Sequence, residues 1–213
     1  MITFKQFITE EEAITFRELV ERDCKPFLQE SKQHGLLYRG VSEGGIPIDT
    51  ALSIRAGVDS PREHDLIYWE KTVRQDRKPK DSQRQQHQIM DNWFKKKFGF
   101  GARSQAMFCL GETGKNLLRQ YGVPCAVFPI GEFNYVWSPI VKDLYNEIGQ
   151  DINKLKDGDE EKLIEFLNSA KYIDSHLHKA VNMKNEVMVQ CDRYYAFELA
   201  GEHAIKLALD MTP

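Results

Sequence analysis

Glu186, Arg39 and Ser104 are the side chains in this sequence whose types and settings could do chemistry. Lys184–Cys191 alternates as a β-strand does, with Val187, Val189 and Cys191 on one face and Glu186, Met188 and Gln190 on the other. A glutamate is a poor strand former, so Glu186 either sits at a solvated edge or lines a cleft. Leu36–Val41 is a second strand, set off by Gly35 and by Gly44-Gly45, in which Arg39 shares a side with Leu37 and Val41. An arginine among apolar strand residues needs an anionic partner or a solvated mouth. Ser104 falls on a third strand, Ala102–Leu110, on one face with Ala106, Phe108 and Leu110. Taken singly, Glu186 and Arg39 each have an ordinary explanation: a solvated strand carboxylate and a salt-bridged guanidinium.

The elements that must position them are read from spacing and punctuation. Thr9-Glu10-Glu11-Glu12 has the form of a capping box and opens a helix carrying Ala13, Phe16, Leu19 and Val20, expected to end near Arg22 with Pro26 limiting or kinking it. From Ile46 to Lys80 the pattern is broken by prolines, and one short strand or helix near Leu66–Trp69 is expected within a long loop. Ser82 caps the clearest helix, whose stripe is Ile89, Met90, Trp93, Phe94 and Phe98. Lys95, Lys96 and Lys97 suit its negative end, and Gly99 stops it. A helix through Leu117, Leu118 and Tyr121 follows the serine strand and closes at Gly122. Cys125–Ile130 and Phe133–Trp137 then read as consecutive strands or a hairpin around Gly131. Ser138-Pro139 opens a helix with Ile140, Val141, Leu144, Tyr145 and Ile148, and another helix with Leu163, Ile164, Phe166 and Leu167 follows Asp157-Gly158-Asp159. Tyr194–Leu199 is expected antiparallel to the Glu186 strand across a turn at Asp192-Arg193, before a terminal helix from Glu202 to Met211.

At 213 residues, 41% apolar and 29% charged, the chain reads as one soluble globular domain. It comprises an N-terminal helical element, 1–34, and a core, 35–200. No apolar run approaches a membrane span, and Met1–Lys5 lacks a secretory pattern, which points to the cytoplasm. Cys24, Cys109, Cys125 and Cys191 have no paired short spacing and read as buried thiols in a reducing compartment. His176 and His178 lack a third ligand, so no metal is expected. Between Lys71 and Arg103 ten Lys or Arg face only Asp76, Asp81 and Asp91 in a chain of net charge −3. That basic patch is either a solvated helix face or a surface for nucleic acid or an acidic partner.

Arginine on an early strand, serine on a middle strand and glutamate on a late strand give the chain its resemblance to the ADP-ribosyltransferases of the arginine-serine-glutamate type. The residues that carry it are Tyr38-Arg39-Gly40, Arg103-Ser104-Gln105-Ala106 and Asn185-Glu186-Val187-Met188-Val189. The general texture is similar to that of small bacteriophage proteins. The resemblance implies an α+β fold of split, mixed β-sheets with flanking helices, to which this chain adds its N-terminal helix. It implies NAD as substrate and transfer of ADP-ribose to a macromolecular acceptor, a host protein or nucleic acid. In that reading Arg39 grips the pyrophosphate. Gly40 admits the nicotinamide carboxamide to the backbone. Glu186 faces the oxocarbenium charge that develops on the ribose, and the Ser104 hydroxyl supports the carboxylate or the ribose. Ala106 stands where the family has a second hydroxyl. Lys184 stands where arginine-modifying members carry Gln or Glu, which leaves the acceptor open. The alternatives are an NAD glycohydrolase or phosphorylase using the same pocket, and a non-enzymatic binder that uses the basic segment.

Overall fold

The computed structural model describes residues 14–32, 34–41, 51–57, 65–79, 84–144, 146–148 and 160–211. The Thr9 box, the Gly44-Gly45 break, Ser82 and the turn at 157–159 lie outside those residues. Thr15-Phe16-Arg17-Glu18 supplies the same capping chemistry as the Thr9 box. The Thr15 side chain accepts from the Glu18 N–H, and the Glu18 carboxylate accepts from the Thr15 N–H at 2.7 Å. This box opens α1 (Phe16–Asp23), and Pro26 then starts α2 (Lys25–Ser31) instead of merely ending the first helix. The two helices press Phe16 and Phe27 edge-on against Phe128, at centroid distances of 5.6 and 5.7 Å. Each such pair adds roughly 0.5–1.5 kcal/mol to the burial itself.

Eight strands follow: β1 (Leu37–Val41), β2 (Leu52–Arg55), β3 (Asp65–Thr72), β4 (Met107–Leu110), β5 (Val123–Ile130), β6 (Asn134–Trp137), β7 (Glu186–Gln190) and β8 (Arg193–Glu198). They form one sheet in the order β2-β3-β8-β5-β1-β4-β7-β6, and every pairing is antiparallel. The protein is therefore α+β, but the expected mixed, split sheets are replaced by a single antiparallel one. Its weak line is the join between β1 and β4, where Tyr38 opposite Leu110 is the one registered pair.

Chain connectivity dictates the shape at that seam. β7 and β8 are four strand spacings apart in the sheet, roughly 19 Å if it were flat. Gln190 and Arg193, which end one strand and begin the other, are three residues apart and can be separated by at most about 11 Å. The sheet must therefore curl, bringing the β4-β7-β6 part towards the β3-β8-β5 part. One expected pairing fails there: β8 does not lie beside β7 but between β3 and β5. β5 and β6 are consecutive strands, as one of the two readings had it, and not a hairpin, since β6 pairs with β7.

Two cores result. Val187, Val189 and Cys191 face the larger one, with α1, α2 and the C-terminal helix α6 (Glu202–Ala208). Met188 faces the smaller one, where Phe94 of α3 (Arg84–Phe98) and Leu163 and Leu167 of α4 (Glu160–Ser169) close over β4, β6 and β7. Gly99 stops α3 as its φ of 87° requires. The stretch read as mostly loop contains β2 and β3, and the helix expected after the serine strand is a 3-10 helix, Glu112–Tyr121. The four cysteines are unpaired and buried, and burial pushes the Cys109, Cys125 and Cys191 thiols up to about 12. Among the described residues, no helix is long and apolar enough to cross a membrane.

A charge network fastens α6 to the sheet. Lys115 and Lys206 each bridge Glu112 and Glu202 at 2.6–2.7 Å, and the Tyr38 hydroxyl donates to both carboxylates. Burial raises the Glu112 carboxyl, but the bonds from Lys115, Lys206 and Tyr38 outweigh it and hold the group at about 2. A depressed folded value means stability that is present above the ordinary 4.5 and lost as pH falls towards 2. Chemical denaturation of wild type and Glu112→Gln across that window should show a steeper loss in wild type. Parallel profiles would remove Glu112 as the cause.

Candidate functional site

β7 enters the sheet under firm control. The buried Asn185 side chain donates to the Ser138 carbonyl at 2.8 Å, and the Glu186 N–H donates to the Lys142 carbonyl at 2.8 Å. Glu186 is thereby fixed opposite Leu110 of β4, on the face of Met188 and Phe108. Its side chain is 14% exposed, so it is not the solvated edge carboxylate that one of the two expectations described. Burial raises the carboxyl, and Arg103 is the main opposing influence, helped by a hydrogen bond from the Leu144 backbone.

β1 supplies Arg39. Where the β1–β4 ladder stops after Tyr38, the Arg39 guanidinium takes over and Nη1 donates to the Phe108 carbonyl at 3.2 Å. Gly40, next to it, is explained by packing: a Cβ there would stand 2.7 Å from the Tyr121 Cβ and 2.9 Å from the Leu118 carbonyl. The side of the backbone expected to receive the carboxamide is filled by the 3-10 helix.

Ser104 is not on a strand. Asp91 of α3 accepts from the Arg103 N–H at 3.0 Å, the Ser104 N–H at 3.1 Å and the Ser104 hydroxyl, which winds residues 101–105 into a turn before β4. With its hydroxyl committed to Asp91, Ser104 makes no hydrogen bond to Glu186 among the described residues. The expected support of the carboxylate comes instead from the preceding residue. Arg103 Nη1 lies 3.5 Å from Glu186 Oε2.

Phe108 is the hub. The Arg77 and Arg103 guanidinium carbons lie 4.2 and 4.5 Å from its ring centroid, and Arg39 holds its carbonyl. The Arg77 N–H donates to the Ser104 carbonyl at 2.9 Å, tying its segment to the turn. Burial, with Arg39 and Arg103 nearby, lowers Arg77 to about 10, and Glu186 opposes that fall. Arg39 and the Ser104 turn therefore meet at one residue of β4, and Glu186 joins them through Arg103, with Arg77 and Arg103 as members the sequence reading missed. Both belong to the basic run between Lys71 and Arg103, in which Lys95, Lys96 and Lys97 are exposed. Nothing in their spacing marks which cations turn inward.

A cavity of about 530 Å³ opens beside the start of β7, lined by Thr113, Lys142, Asn182, Lys184 and Asn185 among others, but by none of Arg39, Ser104 and Glu186. Among the described residues no group of His, Cys, Asp and Glu could hold a metal ion. No family model, curated protein or solved structure matches the chain, so the reading of the site rests on its own geometry.

Proposed function

We propose that the protein is a mono-ADP-ribosyltransferase that moves ADP-ribose from NAD to a macromolecular acceptor. The observation that supports this best is an enclosed carboxylate, Glu186, 3.5 Å from the Arg103 guanidinium of the turn before β4, with Arg77 from the segment after β3 held over the same Phe108 ring as Arg103. Such a site suits a substrate that carries a pyrophosphate and passes through a cationic sugar.

In this reaction the bond between ribose C1′ and the nicotinamide nitrogen breaks. Its electron pair leaves with nicotinamide, which departs neutral. Positive charge is left on the ribose, and the Glu186 carboxylate lowers the energy of that state more than that of bound NAD. The acceptor nucleophile then bonds to C1′ and gives its proton to solvent, and Glu186 is unchanged. The leaving group is already cationic and needs no acid. Arg103 keeps the carboxylate charged, and Asp91 with Ser104 holds the turn that presents Arg103.

The test is incubation with NAD labelled in its adenylate half, with cell extract as the source of acceptor. Free nicotinamide and label in the macromolecular fraction are expected. Release without label in any extract would identify a glycohydrolase, and NAD left intact would remove the enzymatic reading.

A further inference from the structure

Among the described residues, four buried polar atoms around Phe108 have no hydrogen-bond partner: Arg77 Nη1, Arg103 Nε, Arg103 Nη1 and Glu186 Oε2. Buried polar groups are nearly always paired, so a cluster of orphans marks a place where something else binds. Arg103 is only 8% exposed, and water does not freely serve its nitrogens. Its 3.5 Å approach to Glu186 is an ion pair without a hydrogen bond. Both guanidiniums are held against the Phe108 ring, with Arg77 Nη1 and Arg103 Nε and Nη1 left unpartnered among the described residues. Arg39 differs: it spends Nη1 on the Phe108 carbonyl, and none of its nitrogens is among the orphans.

From these contacts we infer that Arg77 and Arg103, and not Arg39, form the seat for the oxyanion of the substrate, a pyrophosphate group. The inference rests on the transferase reading for its substrate and adds the residues that grip it. Planar guanidinium forks match paired phosphate oxygens, and the orphan oxygen of Glu186 would accept from a neighbouring hydroxyl of the ligand. Arg39 acts from the side, holding β4 against β1.

Inorganic pyrophosphate titrated calorimetrically into the full chain tests the seat, with Arg77→Met, Arg103→Met and the exposed Arg74→Met compared at equal melting temperature. Wild type and Arg74→Met should bind alike, and each of the other two should weaken binding about tenfold or more. If the methionine variants do not fold, Arg77→Lys and Arg103→Lys carry the test, since they keep the charge but lose the fork and should still weaken binding several-fold. A wild type that ignores pyrophosphate, or seat variants that bind it unchanged, overturns the inference. If pyrophosphate binding depends on both arginines while NAD is never consumed, the seat stands and the transferase reading falls. NAD turnover with unchanged KM in both variants has the opposite meaning.

Discussion

Glu186→Gln is expected to slow nicotinamide release from NAD by a hundredfold or more while leaving the fold intact. Glutamine has the same shape and can keep the Leu144 backbone hydrogen bond, but it carries no charge. What it removes is an electrostatic interaction stronger in the transition state than in the ground state, in an enclosed setting where it acts at short range. Loss of one such group typically costs a factor of about 10²–10³, or ~3–4 kcal/mol. The loss should fall on kcat and kcat/KM together. The pH profile gives an independent check. Burial raises Glu186 above the ordinary 4.5, so the fraction of active, ionised enzyme should decline as pH falls through that raised value. Removing Arg103, the main influence holding the carboxyl down, should move this acid limb to higher pH. Full activity in the glutamine variant would end the assignment of Glu186.

Gly111→Ala should be the most damaging small substitution for stability. Gly111 links β4 to the 3-10 helix, and a Cβ there would lie 2.3 Å from the Met183 carbonyl oxygen, 2.4 Å from that of Ala180 and 2.6 Å from that of Val181. All three are backbone atoms following α5 (Leu177–Ala180) or at its end, and they cannot swing aside as a side-chain tip can. The conformation at Gly111 is extended (φ −80°, ψ −174°), so the requirement is for space and not for an unusual backbone angle. Overpacking against fixed neighbours costs ~3 kcal/mol. For a chain of this length that is a fall in Tm of roughly 6–12 °C. Gly99→Ala is the useful contrast: nothing lies within 4 Å of its Cβ, and only its φ of 87° resists, at about 1–2 kcal/mol. Equal melting temperatures for the two variants would refute the steric account.

Much of the local structure was legible because it is encoded locally. The two faces of β7 followed from alternation, and α3 followed from its stripe and from Gly99. β2 was hidden because Ser53 and Arg55 interrupt its apolar pattern, and β3 was legible only as a short strand or helix near Leu66–Trp69 because Glu70 and Lys71 break its pattern. Ala102–Leu110 failed as one long strand because Asp91, more than ten residues upstream, captures the Arg103 and Ser104 amides. Alternation cannot report a capture made from another element. The pairing of β8 was misjudged for a related reason: a two-residue link normally makes a hairpin, but here it crosses the curl of the sheet. In the site, Arg39 and Glu186 stood out because a charge in an apolar strand needs a cause. Arg77 and Arg103 sat within a basic run and looked like their solvated neighbours.

The position of β8 also governs how the chain can be made. Its residues, 193–198, follow those of the other seven strands, yet they fill the slot between β3 and β5, and α6 then locks onto Tyr38 through Glu202. A ribosome-bound chain still missing those residues has two unsatisfied strand margins where the finished protein has a continuous ladder. Completion of the fold must therefore wait until β8 has been made, and truncation after Gln190 should leave an association-prone species instead of a smaller working domain.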